Sequence, residues 1–349
     1  TNRLIGKNAV TYGVRMLTHE HLAEPMTYDC TLLRAGRLLL DAGGMFGLIP
    51  RVVWESKVAP DDRHRVELHH NCLWLVGTKD DPALGRPRQI IIEAGTGDKL
   101  DPKMAGIFGL DGRTVETALT EAGGDPSKID DVVISHLHFD HAGGLTRRLR
   151  PGEEADWSAQ AGQASGDASQ VKLTFPNATV HVQEKEWNTA LAGDSVMTKT
   201  YYEDHLEPIE GKLHLHDSPR PFEPGRVPHK DEHPALRWEQ RATTILPGVK
   251  VYLVTGHTWG QQATWFVDAS GREVVFTPDV MPTAWHSGKA YSLAYDVEPY
   301  TSMVTKGWLL RDAADRGWTL MLDHEPGDPW RTVKPNDRGW YALEAAPRA

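Results

Sequence analysis

The chain has 349 residues, of which 40% are hydrophobic and 25% charged, with a formal net charge of −10. These are the values of a folded globular protein with a large core, and they exclude a disordered or collagen-like chain. The excess of acid argues against a broad footprint for nucleic acid or an anionic membrane, so a small molecule is the expected partner.

Residues 1–26 read as an N-terminal extension. Thr1-Asn2-Arg3-Leu4 lacks the apolar core of a signal peptide, and a start without Met is compatible with removal of an earlier segment. Tyr28-Asp29-Cys30-Thr31-Leu32-Leu33 and Arg37-Leu38-Leu39-Leu40-Asp41 read as two short strands turned at Ala35-Gly36. A short helix is expected between Met45 and Arg65. A second hairpin follows, with Asn71-Cys72-Leu73-Trp74-Leu75-Val76 and Gln89-Ile90-Ile91-Ile92-Glu93 as its strands. Residues 114–122 have helical apolar spacing and stop at Gly123-Gly124, and Asp131-Val132-Val133-Ile134 is a buried strand.

Residues 151–170 are polar and read as a surface insertion. Ala178 to Val182 is a strand and Glu184 to Leu191 a helix, whereas 212–240 looks irregular. Strands at 249–254, 263–267, 273–276 and 319–322 follow, with a helix at 304–316 before the last. Strands lead and helices follow in both halves. That order predicts an α/β fold with two sheets face to face and helices outside, a four-layer αββα sandwich forming a single domain over 1–349.

Only two cysteines occur, Cys30 and Cys72, each within an apolar run, which excludes a disulfide framework but not a single bridge; buried free thiols are the expectation. No run approaches the ~20 apolar residues of a membrane span. A cytoplasmic location is the expectation, and a homodimer is compatible with the sequence.

The chemistry is concentrated behind the strand at 131–134, in His136-Leu137-His138-Phe139-Asp140-His141. Residues two apart on an extended segment face the same way, so the His136 and His138 imidazoles point together. Asp140 and His141 follow at once, and Gly143-Gly144 permits a sharp turn behind them. Such convergence suits Zn²⁺ or a similar borderline metal. The competing reading, a His-rich surface loop in a chain with 17 His, does not account for this spacing directly after a buried strand. His19-x-His21, His69-His70 and His214-x-His216 lack a following Asp-His and read as surface or pocket-rim residues.

His136-x-His138-x-Asp140-His141 resembles the metal signature of the metallo-β-lactamase superfamily. With Ala142-Gly143-Gly144 it is most similar to the lactonase and organophosphate-hydrolase-like branches. The resemblance implies three further ligands at later strand ends. Thr255-Gly256-His257-Thr258 resembles the family's Gly-His-Thr turn, Phe276-Thr277-Pro278-Asp279 its bridging-Asp segment, and Leu322-Asp323-His324 offers the last imidazole. One metal would then take His136, His138, His257 and Asp279, and the other Asp140, His141, His324 and Asp279, with Asp323 and His286 as nearby competitors. Three positions depart from the family. Glu93 stands where an Asp is usual, Gln261 replaces a His that is not a ligand, and Pro282 occupies the position of a Tyr in acyl-homoserine lactonases.

The implied function is hydrolysis of an ester, lactone or phosphotriester by a hydroxide bridging two metals roughly 3.5–4 Å apart. Zn is the expected metal, with Mn, Fe or Co also suited to the ligands, and Asp140 would orient the nucleophile or carry its proton. Met45, Phe46, Trp54, Phe139, Trp259, Met281 and Trp285 are candidate apolar pocket walls. A glyoxalase II-like thiolesterase and a non-catalytic metal-binding scaffold are the alternatives. No Gly-x-Ser-x-Gly elbow points to a serine nucleophile.

Overall fold

Ile90-Ile91-Ile92 is apolar at every position, and a strand of that kind needs cover on both faces. The computed structural model, which describes residues 26–159, 168–193, 200–222, 226 and 228–346, provides that cover. One sheet runs in the order β1 (Tyr28–Asp41), β2 (Arg65–Asp81), β3 (Arg86–Ile92), β4 (Asp131–Val133), β8 (Thr179–Gln183), β9 (Leu213–His216). The other runs β10 (Thr243–Leu246), β11 (Val249–Leu253), β12 (Gln262–Val267), β13 (Glu273–Thr277), β14 (Thr319–Leu322), β15 (Trp330–Pro335), β16 (Tyr341–Ala345). Short strands β5 (Thr146–Arg147), β6 (Trp157–Ser158) and β7 (Gln170–Leu173) form a separate small sheet. The α-helices in chain order are α1 (Ala42–Phe46), α2 (Arg51–Trp54), α3 (Pro102–Phe108), α4 (Val115–Glu121), α5 (Phe139–Ala142), α6 (Glu184–Ala192), α7 (Glu203–Leu206), α8 (Trp238–Arg241) and α9 (Pro299–Arg316).

Alternation along the strands sorts the core into layers. Ile90, Ile92, Leu73, Leu75 and Val133 meet Val251, Phe266, Val274, Phe276 and Met321 between the sheets. Ile91, Val132, Val180 and Val182 point the other way, onto Val115 and Leu119 of α4 and Trp187 of α6. On the far side, Val275, Leu320 and Leu322 pack on Leu309, Leu310 and Ala313 of α9. The architecture is thus the expected αββα sandwich. Neighbours β3, β4 and β8 run parallel, as do β13 and β14. Their carboxyl ends, where polar loops can sit on a rigid base, carry the residues of interest.

Several sequence expectations are corrected. Residues 28–41 form one strand, because both flanks pair with the long β2. Arg34 opposes Asn71 and Arg37 opposes His69, so the expected turn at Ala35-Gly36 is a bulge with one extra residue. Gly36 takes φ +120°, and a Cβ there would lie 2.8 Å from the Arg113 carbonyl oxygen. The helix expected between 45 and 65 is two short ones, α1 and α2, parted by Gly47 at φ +51°. The irregular stretch 212–240 contains edge strand β9, and β15 and β16 extend the second sheet beyond the last strand foreseen. In the described part of 151–170, Trp157 of β6 pairs with Val171 and its indole donates to Glu207 at 2.9 Å. Residues 160–167 of that stretch, and 1–25 of the N-terminal extension with His19 and His21, lie outside the described residues. Cys72 is buried and Cys30 half-buried, both as free thiols. Among the described residues no helix is long and apolar enough to cross a membrane.

Candidate metal centre

Beyond β4 the chain bends at Ser135 and again at His138, with Leu137 buried in the core and the His136 and His138 rings edge-on with centroids 4.6 Å apart. The single turn α5 then brings Asp140 and His141 back toward them. Gly143 and Gly144 are needed for a reason other than the sharp turn expected of them. Neither has positive φ; instead, a Cβ on Gly143 would lie 2.1 Å from the Thr96 carbonyl oxygen, and one on Gly144 2.0 Å from that of Ala94. The ligand loop can therefore lie flat against residues 94–97, where Ala94 N–H donates to the His141 carbonyl at 3.1 Å.

His257 projects from the turn between β11 and β12, Asp279 follows β13, and His324 follows β14. The structure gathers all of them with the first cluster. His138 Nδ1 lies 3.1 Å from both His136 Nε2 and His257 Nε2. His324 Nε2 lies 3.3 Å from His141 Nε2. Asp279 sits between the two groups. Its Oδ2 is 3.1 Å from His257 Nε2, 3.5 Å from His141 Nε2 and 4.0 Å from His136 Nε2, and its Oδ1 is 3.3 Å from His324 Nε2. Asp140 Oδ2 completes the second group at 3.8 Å from both His141 Nε2 and His324 Nε2.

The protons of these imidazoles are largely fixed from behind. His324 Nδ1 donates to the His69 carbonyl at 2.9 Å, His257 Nδ1 to Asp296 at 2.8 Å, and His141 Nδ1 to Glu93 at 3.0 Å. In each neutral ring the lone pair is then on Nε2 and faces the centre. Ring nitrogens facing each other at 3.1–3.3 Å need a proton or a metal cation between them, and Asp279 Oδ1 is buried without a hydrogen-bond partner. The donor set therefore fits two bound cations. His136 and His138 are held well below the usual imidazole range by burial and by their neighbouring imidazoles. For Asp279 burial opposes ionisation, but His324, His257 and His141 outweigh it and hold the carboxyl well below its ordinary value.

The competitors are placed otherwise. Asp323 belongs to the same cluster, but its carboxylate lies 3.1 Å from His141 Nδ1, the nitrogen turned away from Asp279. His286 is spent on structure, with Nε2 donating to the Met45 carbonyl at 2.7 Å and Nδ1 accepting from Thr283 at 2.8 Å. Glu93 is buried behind the ligand loop. It accepts from Ser135 N–H at 2.6 Å and from His141, on a backbone at φ +67° that costs about 1–3 kcal/mol in a residue other than glycine. Gln261 Nε2 is 3.5 Å from His136 Nδ1. His70, expected at the surface or the pocket rim, is instead buried edge-on to His324 with ring centroids 5.7 Å apart.

A cavity of about 190 Å³ opens onto the centre. Met45 and Phe139 line it, as do Leu40, Phe108, Leu293 and Tyr295, which carry no pattern that marks them in the sequence. The other candidate wall residues lie elsewhere. Phe46 stacks between Trp54 and His286 at 5.2 Å from each, Trp285 packs on Phe46, and Met281 is buried in the core of the second sheet. Trp259 lines a separate cavity of about 600 Å³ and donates to Glu298 at 3.0 Å. Sequence reading also missed Glu186, which is buried and accepts from Leu137 N–H at 3.0 Å and Thr258 hydroxyl at 2.6 Å. It ties the loop of His136 and His138 to that of His257. Gly260 allows this approach, since a Cβ there would lie 2.3 Å from the Glu186 nitrogen.

The family model described as "Metallo-beta-lactamase superfamily" matches residues 86–150, which span β3 to the end of the first ligand loop. A probable metal-dependent hydrolase from Staphylococcus aureus has a TM-score of 0.68 at 22% identity, covering 93% of this chain and 100% of its own. The dizinc quorum-quenching lactonase AidC has a TM-score of 0.64 at 16% identity (93% and 99% covered), and the hydrolase AbOPH one of 0.63 at 18% (93% and 98%). A comparison with curated proteins finds no match. The likeness to these structures is one of fold across nearly the whole chain, and the family model matches the segment that carries the first cluster. The structures of similar fold also include an N-acyl homoserine lactone lactonase, with a TM-score of 0.55 at 17% identity, covering 86% of this chain and 94% of its own.

Proposed function

We propose that the chain is a hydrolase with a dinuclear metal centre that cleaves an uncharged, moderately apolar ester, lactone or phosphotriester. One observation carries the reading: imidazole nitrogens whose far sides are already hydrogen-bonded face each other across Asp279, which has an oxygen toward each group. His136, His138, His257 and Asp279 would hold one ion, and Asp140, His141, His324 and Asp279 the other. Zn best suits these ligands, with Mn, Fe or Co also accommodated. Bound there, divalent ions would acidify water toward neutral pH and polarise a carbonyl or phosphoryl oxygen.

The chain's own groups supply the rest. Asp140 lies at the cavity wall beside the centre, in reach to orient the attacking water and take its proton. Tyr295 lines the same cavity. Burial and then the nearby Asp41 and Asp140 carboxylates push its phenol up to about 12, so it stays a hydrogen-bond donor for a substrate or leaving-group oxygen. Leu40, Met45, Phe108, Phe139 and Leu293 exclude water from the substrate's apolar part. No Lys or Arg lines this cavity among the described residues, which favours an uncharged substrate over a glutathione thioester. AidC is a dizinc lactonase, and that likeness supports the lactone among the three classes.

The test is a hydrolysis screen of the metal-analysed protein with lactones, aryl esters, phosphotriesters and a glutathione thioester. Turnover of at least one uncharged class, lost on chelation and regained with Zn²⁺, is expected. Turnover of the thioester alone, or none of the panel by protein with a filled centre, would overturn the proposal.

A further inference from the structure

A second set of imidazoles lies apart from the centre just described and shares no residue with it. His181 is on β8, and His214 and His216 are on the neighbouring parallel strand β9. His181 is the register partner of His214, and His216 is two residues further along, so all three project from one face of the sheet. His181 Nδ1 is 3.0 Å from His216 Nε2, and one ligating nitrogen from each of the three rings lies within 4.8 Å of the others.

The supporting partners are those of a metal site. His181 Nε2–H donates to Asp131 Oδ1 at 2.8 Å, which leaves the Nδ1 lone pair toward His216. Asp131 is itself held by Arg88 through its other oxygen. A carboxylate behind an imidazole fixes both tautomer and ring orientation, as metal-binding histidines require. Two nitrogens on a tetrahedral ion at 2.0–2.1 Å stand about 3.3 Å apart. His181 and His216 are near that spacing. His214 is exposed, so its ring can turn to close the set without disturbing the core.

We infer that His181, His214 and His216 form a separate mononuclear site for a borderline divalent transition ion such as Zn²⁺, with Asp131 supporting His181. It goes beyond the hydrolase reading and does not depend on it. The ion fastens β9, the last strand of its sheet, to β8. The chain leaving β9 supplies Asp217, Arg220 and Phe222 to the 600 Å³ cavity beside Trp259, so the bound ion steadies one wall of that cavity.

The experiment strips the full chain with a chelator, reloads it with Zn²⁺, removes unbound metal by gel filtration and counts zinc per chain. The wild type is expected to retain one more ion than a His214→Gln/His216→Gln double variant. The single variant His214→Gln changes only an exposed side chain, so folding is not at issue; its weakest-held zinc is expected to exchange to a competing chromophoric chelator with a dissociation constant at least tenfold higher. The difference of one ion is read whatever number the His136 cluster holds, which separates this inference from the dinuclear one. Equal zinc content in wild type and double variant, or unchanged competition by His214→Gln, would overturn it.

Discussion

The two sheets contribute to the centre in opposite ways. The first delivers His136, His138, Asp140 and His141 from a single loop behind β4, adjacent in sequence and held by Glu93 and Glu186 from behind. The second delivers His257, Asp279 and His324 one at a time, each from a different strand end, so their convergence depends on β11, β13 and β14 lying in register and on the apolar layer between the sheets. The first group comes from six consecutive residues. The second exists only once the sandwich has assembled, and Asp279 is where the two meet.

The strongest way to break this division is to remove a first-loop imidazole. His138 Nε2 is buried without a hydrogen-bond partner, and its Nδ1 faces two other imidazoles. His138→Ala is expected to bring hydrolysis to the uncatalysed level while the metal-free protein keeps its melting temperature, read by turnover and by thermal unfolding after chelation. Near-native turnover in the metal-loaded variant would contradict the assignment. Asp140→Asn comes next. It keeps the shape but removes a proton acceptor, and turnover is expected to fall by about 10²–10⁴-fold, measured on whichever substrate class the screen identifies.

The supporting carboxylates sharpen the comparison. Glu93 acts on His141 from the first sheet's side, and Asp296 acts on His257 from the second's. Glu93→Gln and Asp296→Asn should each weaken metal binding by about 10–100-fold. Chelator competition should show the loss at the His141 ion for the first variant and at the His257 ion for the second. A loss spread equally over both ions by either variant would break the division.

The smallest effect concerns His286, which joins the α1 side of the pocket to the loop after Asp279 through the Met45 carbonyl. Burial, the largest cause, pushes its imidazole down to about 3, with the nearby Lys306 adding to this. The ring is neutral in the fold and charged in the unfolded chain below the ordinary His value. Its contribution is therefore fully present above about pH 6.5 and is lost as pH falls toward 3, at about 1.4 kcal/mol per pH unit. Denaturant unfolding at pH 6 and pH 4 should show a shallower acid slope for His286→Gln, by about 1 kcal/mol per unit. An unchanged slope would remove His286 from the account.

The same contrast explains what could be read before the structure. Four candidate ligands in six residues behind an apolar strand are legible because they are adjacent in sequence, so one loop is enough to bring them together. His257, Asp279 and His324 could be proposed only through resemblance, since nothing local distinguishes His324 from His286 or Asp279 from Asp323. Their roles follow from which nitrogen faces inward, a tertiary property. Glu186, Asp296 and Tyr295 were missed for the same reason: each acts across a long sequence separation, on a partner loop no periodicity connects to it. The αββα layers were legible because Ile90-Ile91-Ile92 and its counterparts have no polar face. The bulge at Gly36 was not, because one long β2 pairing with both flanks cannot be told from a hairpin by composition.

The central claim is that Asp279 joins two metal ions held by the two sheets. Anomalous scattering at the zinc edge, from crystals of chelated and reloaded protein, tests it most directly. Two peaks on the order of 3.5–4 Å apart, each within bonding distance of a different Asp279 oxygen, are predicted. A single peak there, or zinc that leaves Asp279 unbound, would contradict the account.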